Sequence, residues 1–439
     1  MHRTLRVRAI GLVAAAAFSA ATPAFGQAPP SSPPPQSASP AGLRLSLAEA
    51  IALALRQQPT IRSAQQSQVA AEARVPQARS GYYPRVDWLT SAGRSQTFST
   101  SQKRPITGNS FSTALEGRQL LYDFGKTAAL VDEARAGIRV AGGELERVRD
   151  VVVQNVRQAY FGLLQARRLV AVADASLARA ELNLRSATGF FDVGTKPKSD
   201  VTKAEVEVAN ARVNVIRARN NVRFAETSLA NALGLEATVP VEIEDILTYE
   251  PVALDPGALL SEALGNRPEL LQAQARLDTA RAQLAGARAG FWPDLNLTGA
   301  YGGSSDDPSL HEAWSIMATL SWNLFQGFFT VSKIRETEAL VETARANSDT
   351  LELQVRLEVE QAYIAVVEAG ERITATEKAV ESAQENLRLA QGRYDAGIGT
   401  ILDLTEAQLS LTNAEADQIR ALTDYRVGLA VVDRVVGRP

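Results

Sequence analysis

The chain is written twice. Gly81-Tyr82-Tyr83-Pro84 returns as Gly290-Phe291-Trp292-Pro293, 209 residues later, and Pro59 falls on Pro268 at the same spacing. Further along, Gln158-Ala159-Tyr160 matches Gln361-Ala362-Tyr363, Asp192 matches Asp395, Gly194 matches Gly397, Asp200 matches Asp403 and Gly234 matches Gly437, all 203 residues apart. Self-similarity at one long period means two copies of a single supersecondary plan. The change of spacing puts the length difference between the aromatic-Pro motif and the Gln-Ala-Tyr motif.

Each copy carries a long heptad. Val152, Val156, Ala159, Leu163, Ala166, Val170, Ala173, Leu177, Ala180, Leu184, Ala187 and Phe191 step by alternating fours and threes. The second copy repeats the rhythm from Val355, Val359, Ala362 and Val366 through Ala383, Leu387, Ala390 and Tyr394. After a short break it resumes at Val201, Ala204, Val208 and Ala211, and again at Leu404, Ala407 and Leu411. This spacing predicts antiparallel coiled-coil hairpins whose small Ala knobs let helices approach closely. Periodicity alone also fits an ordinary helical bundle. Length favours the rod: about 65 residues from Lys126 to Phe190, at roughly 1.5 Å each, reach about 100 Å.

Between the first helix of each copy and its rod the period changes to two. Trp314, Ile316, Ala318, Leu320, Trp322 and Leu324 alternate with Ser315, Met317, Thr319, Ser321 and Asn323. Leu295, Leu297 and Tyr301 alternate with Asp294, Asn296 and Thr298, and the connection from Gly302 through Pro308 has turn chemistry. The first copy shows the plan more weakly, with Phe111, Thr113, Leu115 and Leu121 on one face, and Val86 and Trp88 on one face of the preceding strand. Two hairpins supply four strands, and a transmembrane barrel needs about eight, so spanning a membrane requires oligomers. Trimers give twelve strands, with Tyr82, Tyr83, Phe291 and Trp292 as an aromatic belt where strand meets helix. A small periplasmic sheet packed on the helices is the competing reading of the strands, and core packing that of the aromatic pairs.

The start of the chain reads as an address. Arg3, Arg6 and Arg8 precede an apolar run from Ala9 to Ala21, and Ala24-Phe25-Gly26 offers small residues for cleavage before Gln27. About 13 apolar residues are too few for a membrane helix, which needs roughly 20. Residues 1–26 are therefore expected to be a signal peptide and 27–41 a Pro/Ser-rich tether. Removing three Arg takes the formal charge from −3 to −6. The chain has no Cys and two His, and shows no HExxH, phosphate loop or GxGxxG fingerprint. That inventory argues against an enzyme, a cofactor or a metal site, and scattered Lys and Arg argue against a nucleic-acid partner. His311, the one His of the mature chain, is expected in a loop beside a strand.

The order helix, Gly-aromatic-aromatic-Pro, hairpin, Leu121-Tyr122-Asp123-Phe124-Gly125, long helix with Gln-Ala-Tyr, tip glycine and Asp-led return helix resembles the TolC-like outer membrane factors. Leu324-Phe325-Gln326-Gly327 takes the corresponding place in the second copy, and Arg393 to Leu411 is similar to the family's most recognisable stretch. The resemblance covers Leu43 to Gly437. It implies a mainly α protein with a β-barrel: a trimeric twelve-stranded outer-membrane barrel joined to a periplasmic α-barrel. Such a protein docks through a periplasmic adaptor onto an inner-membrane pump, proton-driven or ATP-driven, and exports small molecules from a Gram-negative cell.

Residue by residue, the resemblance implies an acidic ring at the tip aperture from Asp403, Glu406 and Asp200. Asp403 and Glu406 are i and i+3 on one helix face. A solvated helix start, where acids favour the dipole, is the plainer reading of the same residues. Adaptor contact is implied for Gly194, Thr195, Lys196, Pro197, Gly397, Ile398, Gly399 and Thr400. Two departures stand out: Lys196-Pro197-Lys198 makes a basic, stiff first tip, and Gly399 stands where some members carry an arginine that latches the closed state.

The expected boundaries are a first repeat at 42–237 (hairpin 84–124, coiled coil 126–234), an equatorial linker at 238–256 and a second repeat at 257–439 (hairpin 293–326, coiled coil 328–437). A periplasmic coiled-coil adaptor or scaffold without a barrel is the alternative function. Adaptors usually carry one hairpin between soluble β-rich domains, whereas two hairpins here alternate with two strand pairs.

Overall fold

The computed structural model describes residues 43–236, 241–305 and 309–438. The expected signal peptide and tether lie outside them. The first copy runs β1 (Leu43–Leu45), α1 (Leu47–Gln57), α2 (Pro59–Arg79), β2 (Arg85–Ser99), β3 (Arg104–Tyr122), α3 (Lys126–Asp192) and α4 (Lys198–Leu233). After β4 (Val241–Ile243), the second copy runs α5 (Pro256–Asn266), α6 (Pro268–Ala289), β5 (Asp294–Ser305), β6 (His311–Ser321), α7 (Phe329–Asp395) and α8 (Ile401–Val435).

The duplicated prolines explain the first break in each copy. Proline disfavours helix at the residue before it and suits the first helical position. Gln58 and Arg267 are accordingly extended, and α2 and α6 begin on Pro59 and Pro268. The duplicated glycines pack against those breaks. Gly234 and Gly437 are left-handed, and a Cβ there would come within 3.1 Å of Gln58 Cα or of the Asn266 carbonyl carbon. Each copy thus closes on its own beginning.

Both rods are single helices of 67 residues. On α7 every heptad position from Val355 to Tyr394 is buried or half-buried, and so is every one from Val201 to Ala232 on α4. On α3 the pattern holds to Ala187 and then slips: Phe191 is exposed, and Phe190 packs edge-on against Tyr394, ring centroids 5.8 Å apart. Tyr394 fills the shared seam, which leaves its duplicate position, Phe191, outside. Near the sheet α3 packs on α6, where a Cβ on Gly143 would meet Gln272 Cγ at 2.7 Å. Far from the sheet it packs on α4 through Ala180, Val208 and Ala211.

The equator is held by two tyrosines. Tyr160 is fully buried; its hydroxyl donates toward the carbonyls of Leu45 and Glu244 and accepts the Glu244 N–H at 3.0 Å. Tyr425 treats the next turn of the inter-repeat segment similarly, donating to the Glu250 carbonyl and accepting the Val252 N–H. Arg168 adds a two-pronged contact to Asp245. The same segment contributes β4, which pairs in parallel with β1, Leu43 opposite Val241. Sequence alone places no strand there.

The four remaining strands form one antiparallel sheet in the order β2-β3-β5-β6. Three expectations need correction. Gly302 to Ser305 are strand, not turn, because β3 and β6 flank β5 closely there; a Cβ on Gly302 would come within 2.1 Å of the Thr113 carbonyl oxygen. His311 opens β6 opposite Ser304 instead of lying in a loop. At the other end β6 stops at Ser321, so Trp322 and Leu324 follow the strand.

Candidate functional site: a two-faced sheet and two coiled-coil tips

Side chains alternate across a strand, so the pairing register defines what each face of the sheet presents. One row reads Trp88, Leu115, Tyr301 and Trp314 across all four strands, and the next reads Val86, Gly117, Gly299 and Ile316. Leu297 and Ala318, then Leu295 and Leu320, continue this face. A bulge at Leu121 turns Tyr122 opposite Leu295, onto the same face. These residues are open in the single chain: Trp88 is 72% exposed, Trp314 68% and Ile316 71%. The opposite face is mixed but carries the charges. It presents Asp87, Glu116, Ala300 and Ser315 in one row and Arg85, Arg118, Thr298 and Met317 in another, tied by Arg85–Asp87 and Arg118–Glu116 pairs at 2.8 Å. Apolar on one side, charged on the other and bounded by two unpaired edges, such a sheet cannot end as a free ribbon in water.

Where sheet meets helix, the predicted belt residues cluster. Tyr82, Tyr83, Phe291 and Trp292 are 46–66% exposed. Phe124 stacks on Trp292 at 5.5 Å, Trp322 donates its indole N–H to the Phe291 carbonyl, and Lys126 reaches Asp294 at 2.6 Å. Both copies leave the sheet through a left-handed pair, Phe124-Gly125 in one and Gly327-Phe328 in the other. Non-glycine residues rarely adopt that conformation. The aromatic ring is held there in both copies.

The coiled coils reverse at Gly194 (φ 77°) and Gly397 (φ 78°). Each is a Schellman-type end: Thr195 N–H returns to the Phe190 carbonyl at 2.9 Å, and Ile398 N–H to the Arg393 carbonyl at 3.0 Å. The second tip starts α8 with a capping box. Asp403 N–H donates to Thr400 Oγ1 at 3.1 Å, and the Asp403 carboxylate accepts the Thr400 N–H at 3.2 Å. The Thr400 backbone N–H, then its hydroxyl, hold Asp403 below the usual carboxylate range. Asp403 and Glu406 both stay exposed, whereas Asp200 is 9% exposed in the first turn of α4. The three acids expected at the aperture therefore divide into two exposed and one buried.

The two departures noted in the sequence meet in space. Lys196 Nζ donates to the Gly399 carbonyl at 3.1 Å and lies 4.8 Å from the centre of the Tyr394 ring. Gly399 could carry no side chain without movement, because a Cβ would come within 2.9 Å of Tyr394 N. Tyr394 is fully buried with its hydroxyl unpartnered. Burial, then Asp200 and Asp395, push that phenol above its ordinary value. Sequence reasoning flagged Lys196 and Gly399 separately; nothing in their spacing shows that they touch.

Among the described residues no cluster of three or more His, Asp or Glu is arranged to hold a metal, and no helix is long and apolar enough to cross a membrane. A cleft of about 640 Å³ lies between α2, α3 and α6 and is lined by Gln68, Arg139, Glu146, Asp150 and Asp278 among others.

Comparison with known proteins agrees with this architecture. The chain is similar to the outer membrane protein TolC of Escherichia coli K12, 25% identical over 400 residues that cover 86% of this chain and 79% of the relative. In structure it is similar to the outer-membrane channel OprN (TM-score 0.79, 22% identity, 90% of each chain) and to the Campylobacter jejuni CmeC outer membrane channel (TM-score 0.80, 19% identity, 89% of this chain and 85% of that one). The profile of the outer membrane efflux proteins matches residues 50–235 and 259–438, so the chain belongs to the outer membrane efflux protein family.

Proposed function

We propose that three copies of this chain close a twelve-stranded barrel in the outer membrane, continued by their helices into a periplasmic α-barrel, as the exit duct of a tripartite efflux or secretion system. The observation that carries this reading is the two-faced sheet with open β2 and β6 edges. Four strands cannot close alone, and pairing β2 of one protomer with β6 of the next removes every edge. The apolar face then meets lipid, and Arg85, Asp87, Glu116 and Arg118 line the lumen. Tyr82, Tyr83, Phe291 and Trp292 take the periplasmic interface of the bilayer.

The tips are the closed end. Threefold symmetry brings three copies of Asp403 and Glu406 to a narrow lumen, where like charges attract cations. Asp200, buried beside Tyr394, acts on the packing of the tip instead of the lumen. Lys196, bonded across to Gly399, ties the two hairpins of one protomer. The turns Gly194 to Pro197 and Gly397 to Thr400 face the adaptor, which couples the duct to an inner-membrane pump. Opening is a population shift between two coiled-coil packings biased by that partner. The duct itself does no chemistry.

Purification from outer membranes, followed by planar-bilayer recording of the non-denatured oligomer, tests this. A trimer with small cation-selective currents is expected, and replacing both Asp403 and Glu406 with Ala raises conductance and weakens block by divalent cations. A water-soluble monomer or dimer without currents overturns the barrel and leaves a periplasmic scaffold.

A further inference from the structure

The two open edges of the sheet are strands of unequal length. β2 offers Arg85 to Ser99, and β6 offers His311 to Ser321. On both strands the even-numbered residues lie on the Trp88–Trp314 face and the odd-numbered ones on the charged face. Sliding one edge past another by a single residue would set one copy's apolar face beside the next copy's charged face. Two copies can therefore join only in registers that differ by two residues. Near its outer end each edge carries one charge on the Trp88–Trp314 face. Arg94 of β2 takes part in none of the ion pairs among the described residues. Glu312 of β6, two residues beyond Trp314, accepts the Tyr301 hydroxyl at 2.8 Å. One such bond leaves most of a carboxylate's acceptor capacity open.

Building on the outer-membrane reading, we propose that β6 of one copy pairs with β2 of the next in one register, Ala318 opposite Trp88, and that Arg94 and Glu312 form an ion pair across each seam. In this register Ser321, the last residue of β6, faces Arg85, the first of β2, and His311 faces Ser95, so all 11 residues of β6 find a strand partner. Two residues one way, Arg85 and Val86 are left unpaired at the helical end; two residues the other way, Leu320 and Ser321 are. The side chains agree with the backbone. Trp88 meets Ala318 and Trp314 meets Ala92, large against small both times, and Arg94 stands directly opposite Glu312.

The slope of the closed barrel selects the same register. Arg85, Arg118, Thr298 and Met317 share one row inside a copy. Across the seam Met317 then faces Leu89, so the row climbs 89 − 85 = 4 residues for every four strands. At about 3.4 Å per residue and about 4.8 Å per strand, the strands tilt by about 35°, within the range of about 35–45° for membrane barrels. The registers two residues away give about 20° and about 47°, outside that range.

The chain has no cysteine, so introduced pairs report the seam directly. S91C/S315C and T90C/I316C are matched rows, whose Cα atoms stand about 4.5–5.5 Å apart, within disulfide reach. S91C/A313C and S91C/M317C are two residues out of register, at roughly 8 Å, beyond it. After mild oxidation of outer membranes, a non-reducing gel is expected to show covalent trimer for at least one matched pair, and less than about a tenth as much for the shifted pairs. Efficient trimer from a shifted pair, or none from either matched pair in an oligomer that still conducts, overturns the register and leaves the barrel standing. A soluble chain with neither currents nor cross-links instead sinks the duct reading on which the proposal rests. The ion pair has its own readout, the temperature at which the uncross-linked trimer dissociates in SDS. R94E and E312R are each expected to lower it, the swap R94E/E312R to recover most of the loss, and K103E, in the β2–β3 turn, to leave it unchanged. No recovery in the swapped variant overturns the pairing of these two side chains.

Discussion

The two copies keep the same turns and disagree about nearly everything those turns carry. Pro59 and Pro268 break the leading helices identically, Gly194 and Gly397 reverse the coiled coils, and Gly234 and Gly437 close each copy on itself. Their side-chain machinery has diverged. Tyr160 is the buried clamp of the first copy, but its duplicate, Tyr363, only lines a shallow cleft, and the corresponding clamp comes from Tyr425 on the neighbouring helix. One tip relies on Lys196 and the other on the Thr400–Asp403 capping box. Duplication preserves backbone solutions that few residues satisfy, while contacts that many side chains can make drift between helices.

The comparison breaks most sharply at the clamps. Tyr160→Ala opens a cavity and leaves the Leu45 and Glu244 backbone groups unpaired, a loss of about 3–5 kcal/mol. Tyr363→Ala is expected to cost less than about 1.5 kcal/mol, because its side chain is already half open. Denaturant titration of the oligomer in detergent separates the two; equal losses would mean that the copies are equivalent after all.

The tips come next. Lys196→Ala removes a charge-assisted hydrogen bond and a cation–π contact, about 1–2 kcal/mol in favour of the closed packing. The fraction of time spent in high-conductance states should rise several-fold. Lys198→Ala, with an exposed residue two positions on, leaves the currents unchanged. At the other tip Thr400→Ala loses its cap and costs about 1 kcal/mol, read by hydrogen exchange in the first turn of α8.

A smaller, pH-dependent effect distinguishes the equator. Burial first, then Glu269 and Glu146, push Asp150 up to about 6, against the opposing pull of Arg434 and Arg267. A carboxyl raised in the folded state contributes stability that is complete below its unfolded value, near 3.8. That contribution is lost as pH rises through about 6. Because Asp150 is only half-buried, solvent screening reduces the effect to about 1 kcal/mol. Asp150→Asn should make the oligomer more stable at pH 7 and flatten its stability between pH 4 and 7. Glu144 behaves oppositely: Arg147 holds it near 2 despite burial, so its contribution is lost only in strong acid.

How much of this was legible in the sequence follows from the range of each interaction. The heptads from Val152 to Ala187 and from Val355 to Tyr394 predict the tip-ward parts of both rods because a coiled coil is a local repeat read by its own period. The strand faces were equally readable from alternation at Trp314 to Leu320. The ends of strands were not. Gly302 and Gly303 are turn-forming residues by propensity, yet here they are the residues small enough to pass between two neighbouring strands. Phe191 was misplaced because a heptad carries no knowledge of the partner ring, and Tyr394 had already taken the seam. At the tips, sequence picked out Lys196, Gly399 and Asp403 one by one. It could not pair Lys196 with Gly399, 203 positions away, nor show that the Asp403 carboxylate folds back on its own helix start.

The uninterrupted length of the rods has a mechanical corollary. From Tyr160, pinned at the equator, to Asp192 at the tip, α3 runs 32 residues without a break. At about 1.5 Å per residue that is a lever arm of roughly 48 Å, so a tilt of only about 5° at the fulcrum sweeps the far end by about 4 Å. The Lys196–Gly399 bond spans 3.1 Å. It therefore works as a tripwire at the end of a stiff beam: rotations too small to disturb the equatorial core are enough to snap it.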